Sequence, residues 1–400
     1  MISGSIRRFL RIFSAEKHYS FLNIVGLSLG MACSILLALY LEHELTFDRH
    51  NTAHQNIYRV NHQIDATNNV TLQAQTSHFL GPLLIRDYPQ IESYVSFRPE
   101  SPNATLLKYQ NQSYYVDDLF IADNSVFDIF THEIVYGEPS QALLRPNTIA
   151  INRSLAERLF SGENPVGRTV TTGVVDYQVT LVFGDLPDNS HFKYSALIAN
   201  AGNFAPSADA LANRRGNLWN LNGYTYVRMN PATQVDGSEV FVDFYTRMMA
   251  DVTRPGYTAQ FFLEPLADIH LSSVALQDFP RGNTYYLYAL SVVAVLVLIS
   301  ACFNYINLAT ARAFGRSKEI AIRKILGADR KILITQFIAE SMLYAFIALF
   351  VAVMLVKLVL AGSADINLFG RDFDPGFWRD PWALVALLVL GLAVGAMAGI

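Results

Sequence analysis

Four stretches of this chain are too long and too apolar to face water: Phe21 to Leu41, Tyr285 to Ala309, Ile332 to Leu360, and Trp382 to Ile400. At about 1.5 Å of rise per helical residue, a run of about twenty residues spans roughly 30 Å, the thickness of a bilayer's hydrocarbon core. No water is present there to bond the backbone, so each run must satisfy itself as a helix. Between the first two runs lies a polar stretch, 42–284, with no membrane-length run in it. The expected architecture is therefore an α-helical membrane protein with four transmembrane helices and a large α/β extracytoplasmic domain inserted between the first and second. Apolar residues make up 52 % of the chain, high for a soluble protein. A net charge of −4 excludes a generally basic nucleic-acid binder. The only cysteines, Cys33 and Cys302, both sit inside apolar runs, so the polar region can hold neither a disulfide framework nor a cysteine zinc site.

Charge sets the orientation. Between the second and third runs, Arg312, Arg316, Lys318, Arg323, Lys324, Arg330 and Lys331 stand against only Glu319 and Asp329. Short loops with that bias stay in the cytoplasm. Ile320, Ile322, Ile325 and Leu326 interleave with these charges, and Ile322, Ile325 and Leu326 share the i, i+3, i+4 spacing of one helix face. With Gly327 as its C-cap, and Asp329 as N-cap of the helix that follows, this predicts a short amphipathic helix at the inner surface. Topology and contact with anionic lipid need only a few basic residues; they give no reason for the aliphatic ones. The first 19 residues alternate Arg7, Arg8, Arg11 and Lys17 with Ile6, Phe9, Leu10, Ile12 and Phe13, a pattern suited to lying on the inner leaflet. The run that follows is too long for a signal peptide, which predicts an uncleaved anchor with its N-terminus inside. Gly26 and Gly30 form a GxxxG pair that lets helices approach closely. Asn304 and Asn307, three apart near the inner end of the second run, point to interhelical hydrogen bonds. The loop 361–381 carries Asp365, Asp372, Asp374 and Asp380 against Arg371 and Arg379, which fits an outer location.

Along the polar stretch, alternation predicts strands at Tyr58–Ile64, Tyr114–Ile121, Gln178–Phe183, Tyr224–Met229 and Gln260–Pro265. Helices are predicted at Ser77–Asp87, Ser154–Phe160 and Val240–Met249, and a loop at Asn203–Asn222. Gly162, Gly167, Arg168 and Thr169 imitate a phosphate-binding loop, but arginine replaces its lysine, Pro165 interrupts it and a strand follows where a helix should start. A tight structural turn is the better reading. His43, His50, His54, His62 and His78 crowd the start of the region without cysteine or acidic partners, so they read as exposed polar residues rather than metal ligands. His191 is expected to fix its turn. No triad, HExxH or paired-carboxylate spacing appears, so the expectation is no catalytic residue, no cofactor and no metal.

The residues AxAxGRxKEIAIRKxLGAxRxxLxxQFxxES, from Ala311 to Ser341, resemble the FtsX/MacB-type permeases of ATP-binding-cassette systems. A second resemblance runs from Leu155 to Ile198, with its "NPVG" and "DLPDNSHF" turns, and is similar to that family's MacB-like periplasmic core domain; the "YRV" at Tyr58 to Val60 matches its first strand. The resemblance implies a non-catalytic permease subunit of the cell inner membrane whose motor is a separate ABC ATPase. It would serve efflux or extraction of an antibiotic, peptide or lipoprotein by mechanotransmission to the periplasm. It further implies a dimeric arrangement or a second permease half. The coupling residues it implies are Arg316, Lys318, Glu319, Ile322, Arg323, Lys324, Ile325, Leu326 and Gly327. The matching layout is 1–19 cytoplasmic, 20–41 first helix, 42–284 periplasmic core, 285–309 second helix, 310–331 coupling segment, 332–360 third helix, 361–381 outer loop and 382–400 fourth helix. Since longer relatives carry the plan twice, the chain is expected to be one copy from a longer permease. Two alternatives stand beside transport: an FtsX-like regulator of a periplasmic cell-wall enzyme or peptide sensor, and a membrane-anchored receptor or scaffold without an ATPase.

Overall fold

In the computed structural model, alternation of apolar and polar residues becomes strand, and unbroken apolar sequence becomes helix. Residues 17–66, 69–202, 218–231, 241, 244, 257–272, 275–315, 322, 325, 330–363 and 381–399 are described. The helices are α1 (Lys17–Leu45), α2 (Leu80–Asp87), α3 (Val126–Ile129), α4 (Arg153–Phe160), α5 (Ile269–Ser272), α6 (Thr284–Gly315), α7 (Arg330–Ser363) and α8 (Pro381–Gly399). The strands are β1 (Ile57–Ala66), β2 (Asn69–Gln73), β3 (Ile91–Pro99), β4 (Thr105–Tyr109), β5 (Gln112–Val116), β6 (Leu119–Ala122) and β7 (Ile134–Gly137). They continue with β8 (Thr148–Asn152), β9 (Thr169–Thr171), β10 (Asp176–Phe183), β11 (Ala196–Ala199), β12 (Tyr224–Met229) and β13 (Tyr257–Pro265). The chain divides into a helical unit, Met1–Leu45 with Asn283–Ile400, and an α/β unit, Thr46–Gly282.

Three helices of the first unit are long and apolar enough to cross a membrane, within Lys17–Leu45, Thr284–Ala311 and Phe337–Gly362; Pro381–Ala396 in α8 is apolar but shorter. Helix α1 packs against α6 and α7, and α7 against α8. Their shared core runs through Leu27, Met31, Ile35, Ala301, Tyr344, Ala348 and Val394. Large apolar side chains such as Phe21, Leu29, Val292, Leu296, Phe350, Leu358 and Leu388 point outward. A surface of that kind is stable only against lipid or another apolar partner.

The strands of the second unit form one sheet, in the order β13-β1-β12-β3-β6-β11-β8-β10-β9-β4-β5, with β2 paired to β1 and β7 to β10. Strands β6 and β11, and β8 and β10, pair in parallel; the other pairs are antiparallel. The late strands β12 and β13 thus return to flank β1. Residues one apart on a strand face opposite sides, and the cores sort accordingly. Tyr224, Tyr226, Leu197, Ala199, Leu181 and Phe183 join an aromatic core on one face with Phe97, Phe120, Phe130 and Phe192. On the other face Val60, Val227 and Phe261 sit under Leu80, Leu83 and Leu84 of α2. Further along that face Ile198, Val179 and Val182 sit under Leu155 and Leu159 of α4. Helix α4 begins where the Asn152 side chain accepts the Leu155 N–H at 2.9 Å, the usual role of an N-cap. It ends in left-handed backbone at Ser161 (φ 53°) and Gly162 (φ 88°), and β9 starts at Thr169. The sequence that imitates a phosphate loop is therefore a turn into a strand.

Two readings of the sequence need correction. The strand expected at Tyr114–Ile121 is two strands, β5 and β6, because Asp117 and Asp118 interrupt it. The Asp118 carboxylate accepts from Ser195 Oγ at 2.7 Å and turns the chain from an edge hairpin into the middle of the sheet. The early histidines are not uniformly exposed either. His62, at the centre of β1, is completely buried, with its ring stacked on Phe261 (centroids 4.6 Å apart) and 5.6 Å from Trp219. The helix expected at Val240–Met249 and the loop at Asn203–Asn222 fall largely outside the described residues.

Burial lowers the His62 pKa to about 4, whereas in the unfolded chain it titrates near 6.5. The unfolded state therefore takes up the proton first. Stability is full above about pH 6.5 and falls as the pH drops toward 4, by about 2 kcal/mol at pH 5. His62→Phe keeps the stacking and removes the titration. The unfolding midpoint of the α/β unit in the detergent-solubilised chain should drop less between pH 7 and 5 in the variant than in wild type; equal drops would contradict the assignment.

Candidate functional site

The segment joining α6 to α7 carries the charge pattern singled out above, and two of its residues, Ile322 and Ile325, are described. Both are helical. They are three apart, so they share one side of a helix, and they are 58 % and 85 % exposed. An aliphatic pair presented outward costs hydration free energy, roughly 1.5–3 kcal/mol for each side chain if it were fully covered. That free energy is available to whatever docks on them. Arg316, Lys318, Glu319, Arg323, Lys324, Leu326 and Gly327 lie outside the described residues.

What makes this end of the helical unit a firm base is a polar layer. The Ser20 hydroxyl on α1 bonds the Tyr344 hydroxyl on α7 at 2.8 Å. Tyr305 on α6 donates to Ser341 Oγ on α7 at 3.1 Å. Asn23 is buried beside this layer on α1. Tyr305 lies ten residues before the end of α6 and Ser341 eleven after the start of α7, so the bond ties the two helices about three turns, roughly 15 Å, from the connecting segment. Sequence reasoning missed this layer. Its one visible sign was Ser20 and Asn23, polar residues three apart leading an apolar run.

Close helix contact is set by the glycines of α1. A Cβ added at Gly30 would lie 2.4 Å from the Ala301 Cβ on α6, and one at Gly26 would lie 2.9 Å from Asn304 Nδ2. The GxxxG pair therefore lets α1 and α6 pack backbone to backbone. Higher along the same seam Ser34 Oγ donates to the Ala294 carbonyl of α6 at 3.0 Å. Asn304 and Asn307, expected to bond between helices, are both exposed.

An apolar helical unit and a large single-sheet α/β unit in one chain define a membrane protein carrying a folded domain outside the bilayer. The chain belongs to the FtsX/MacB-type permeases: residues 20–239 match the MacB-like periplasmic core domain and residues 291–400 the FtsX-like permease C-terminal domain. It is 23 % identical over 304 residues to the uncharacterized ABC transporter permease YvrN of Bacillus subtilis, covering 75 % of this chain and 69 % of YvrN. It is 26 % identical over 253 residues to the macrolide export ATP-binding/permease protein MacB of Agrobacterium fabrum, covering 63 % of this chain and 35 % of MacB. The crystal structure of the periplasmic region of MacB from Actinobacillus actinomycetemcomitans aligns with a TM-score of 0.34 at 14 % identity, covering 52 % of this chain and 89 % of that one.

The glycine seam yields a test with an internal control, since Cys302 on α6 is buried and Cys33 on α1 is exposed. Gly30→Leu should wedge the two helices apart at a cost of about 1–3 kcal/mol. In detergent, labelling of Cys302 by an apolar maleimide should rise several-fold relative to that of Cys33, and an unchanged ratio would contradict the seam.

Proposed function

We propose that this chain is the membrane subunit of an ABC-type complex, passing ATP-driven movement of a separate ATPase to the α/β domain on the far side of the membrane. In this reading α1, α6, α7 and also α8 cross the bacterial inner membrane. The basic segment between α6 and α7 faces the cytoplasm, and the α/β domain lies in the periplasm. The observation that carries the proposal is that Ile322 and Ile325 are helical and exposed within a segment whose sequence is strongly basic. A docking partner would meet an aliphatic centre and a basic rim, the distribution that gives protein interfaces their affinity and their orientation. The name of YvrN, an ABC transporter permease, supports a motor on another polypeptide, whereas MacB is named as an ATP-binding/permease protein.

Closure of two nucleotide-binding subunits would push on the segment from Arg316 to Gly327, with Arg323 and Lys324 making polar contacts and Ile322, Ile325 and Leu326 apolar ones. Lys318 would offer a further cation and Glu319 an acceptor. The tied helices α6 and α7 would move together, and the domain would change shape to export or extract a substrate of the antibiotic, peptide or lipoprotein class. A second permease half or a second copy would complete the complex. Such a cycle needs no substrate to pass between these helices.

The test is capture of an ATPase subunit by the affinity-tagged chain, followed by its hydrolysis rate with and without this partner. Ile325→Asp buries a charge in the contact and Arg323→Glu reverses one at its rim. Each should weaken capture about tenfold, about 1.4 kcal/mol, and the double variant should abolish stimulation while membrane insertion is kept. Retained stimulation in the double variant would refute the docking assignment.

A further inference from the structure

The α/β unit is joined to the helices at two places, and both junctions are fastened to the same strand. Thr46 to Asn51 continue from α1, and Ala275 to Gly282 lead into α6. In the first junction Asp48 adopts left-handed backbone (φ 61°), and its N–H donates to the Asn189 carbonyl at 2.8 Å. The Asp48 carboxylate accepts from the His191 backbone N–H at 3.2 Å and from its Nδ1 at 2.8 Å. Because a carboxylate only accepts, the ring proton sits on Nδ1 and leaves Nε2 to accept. Nε2 lies 2.7 Å from the Tyr226 hydroxyl on β12. In that tautomer the Tyr226 hydroxyl donates to Nε2. Asp48, His191 and Tyr226 are all buried.

The second junction repeats the device. Gln277 is also left-handed (φ 56°), and its carbonyl accepts from the hydroxyl of Tyr224, again on β12, at 2.8 Å. The next residue, Asp278, takes two bonds from the buried Arg59 guanidinium of β1, at 2.6 and 2.9 Å. Arg59 also bonds Glu264 of β13 at 2.8 Å and Asn61 at 2.9 Å. Between the two attachments the aromatic rings close the gap. Phe192, which follows His191, lies 4.7 Å from Phe279, which follows Asp278, and is 5.9 and 6.2 Å from Tyr224 and Tyr226.

We propose that Tyr224 and Tyr226, two positions apart on one face of β12, form a node that couples the two junctions to each other and to the sheet, so that load on either segment is shared by both. The inference deepens the functional reading above and rests on it for its purpose, since a domain driven through two helices needs both attachments to move as one. Tyr224 and Tyr226 are positioning residues in this scheme.

The test is amide hydrogen exchange on the full chain in lipid nanodiscs, with no ATPase present, so its result does not depend on the motor. Tyr226→Phe keeps the ring and removes the hydroxyl that holds His191, which in turn holds Asp48 of the first junction. Exchange in 46–51 should rise about tenfold, and exchange in 275–282, which Tyr226 does not bond, should rise about threefold. Tyr224→Phe should give the mirror image, because coupling between sites is reciprocal, while β8 amides stay unchanged in both. A rise confined to the junction held through the mutated tyrosine, or an equal rise in β8, would overturn the proposal. Failure to capture an ATPase would sink the functional reading and leave this coupling intact.

Discussion

Hydrocarbon forces every backbone polar group of a spanning segment to bond within that segment, and the stiffness of these helices follows from it. A helix so constrained bends little, and a displacement at one end arrives at the other. The chain then spends its few membrane-buried polar side chains where they tie helix to helix. Ser20 to Tyr344 and Tyr305 to Ser341 bind α1 to α7 and α6 to α7. Each bond is worth only about 1 kcal/mol, but together they resist sliding of one helix along another. The glycine seam between α1 and α6 has the same effect by shape, since helices in van der Waals contact along their backbones cannot rotate independently.

Much of this was legible in the sequence, for local reasons. The long apolar runs read as helices because nothing else can stand in lipid. Tyr224–Met229 read as a strand because period-two alternation is a property of six adjacent residues. Ile322 and Ile325 read as one face of a helix because of their spacing, and both are helical. The break at Asp117 was missed because β5 and β6 pair with different parts of the sheet, and pairing is not a local property. The burial of Arg59 was not read from the sequence. Its partners Glu264 and Asp278 are 205 and 219 residues away, and no window along the chain contains both ends of that contact. His62 failed for a related reason: whether an imidazole on a strand meets water or Phe261 depends on which strand returns beside it.

The arrangement of strands bears on how movement would travel once it reaches the domain. Strand β1 follows the first junction, β13 precedes the second, and β12 lies on the other side of β1. Both junctions therefore act on one end of the sheet rather than on separate lobes. From β12 the hydrogen-bonded path continues through β3, β6 and β11 to β8 and β10 without a gap. A continuous sheet transmits a shear strand by strand, because relative sliding of neighbours would break a row of bonds at once. Twisting the sheet breaks none of them.

The cheapest deformation of such a sheet is thus a change of twist, driven from the β13-β1-β12 end and largest at the far edge, where β4 and β5 form the outer hairpin. The aromatic core on one face works in the same direction. Phe97, Phe130, Phe192, Tyr194 and Tyr226 pack edge to face and stacked around one centre, and interiors of this density are bistable rather than soft. A rotation of β12 would be passed to β3 and β6 through these rings as well as through the backbone ladder. The β9-β4-β5 end lies farthest in strand order from β1 and β12, so a change of twist at the β13-β1-β12 end adds up strand by strand before it reaches the outer hairpin.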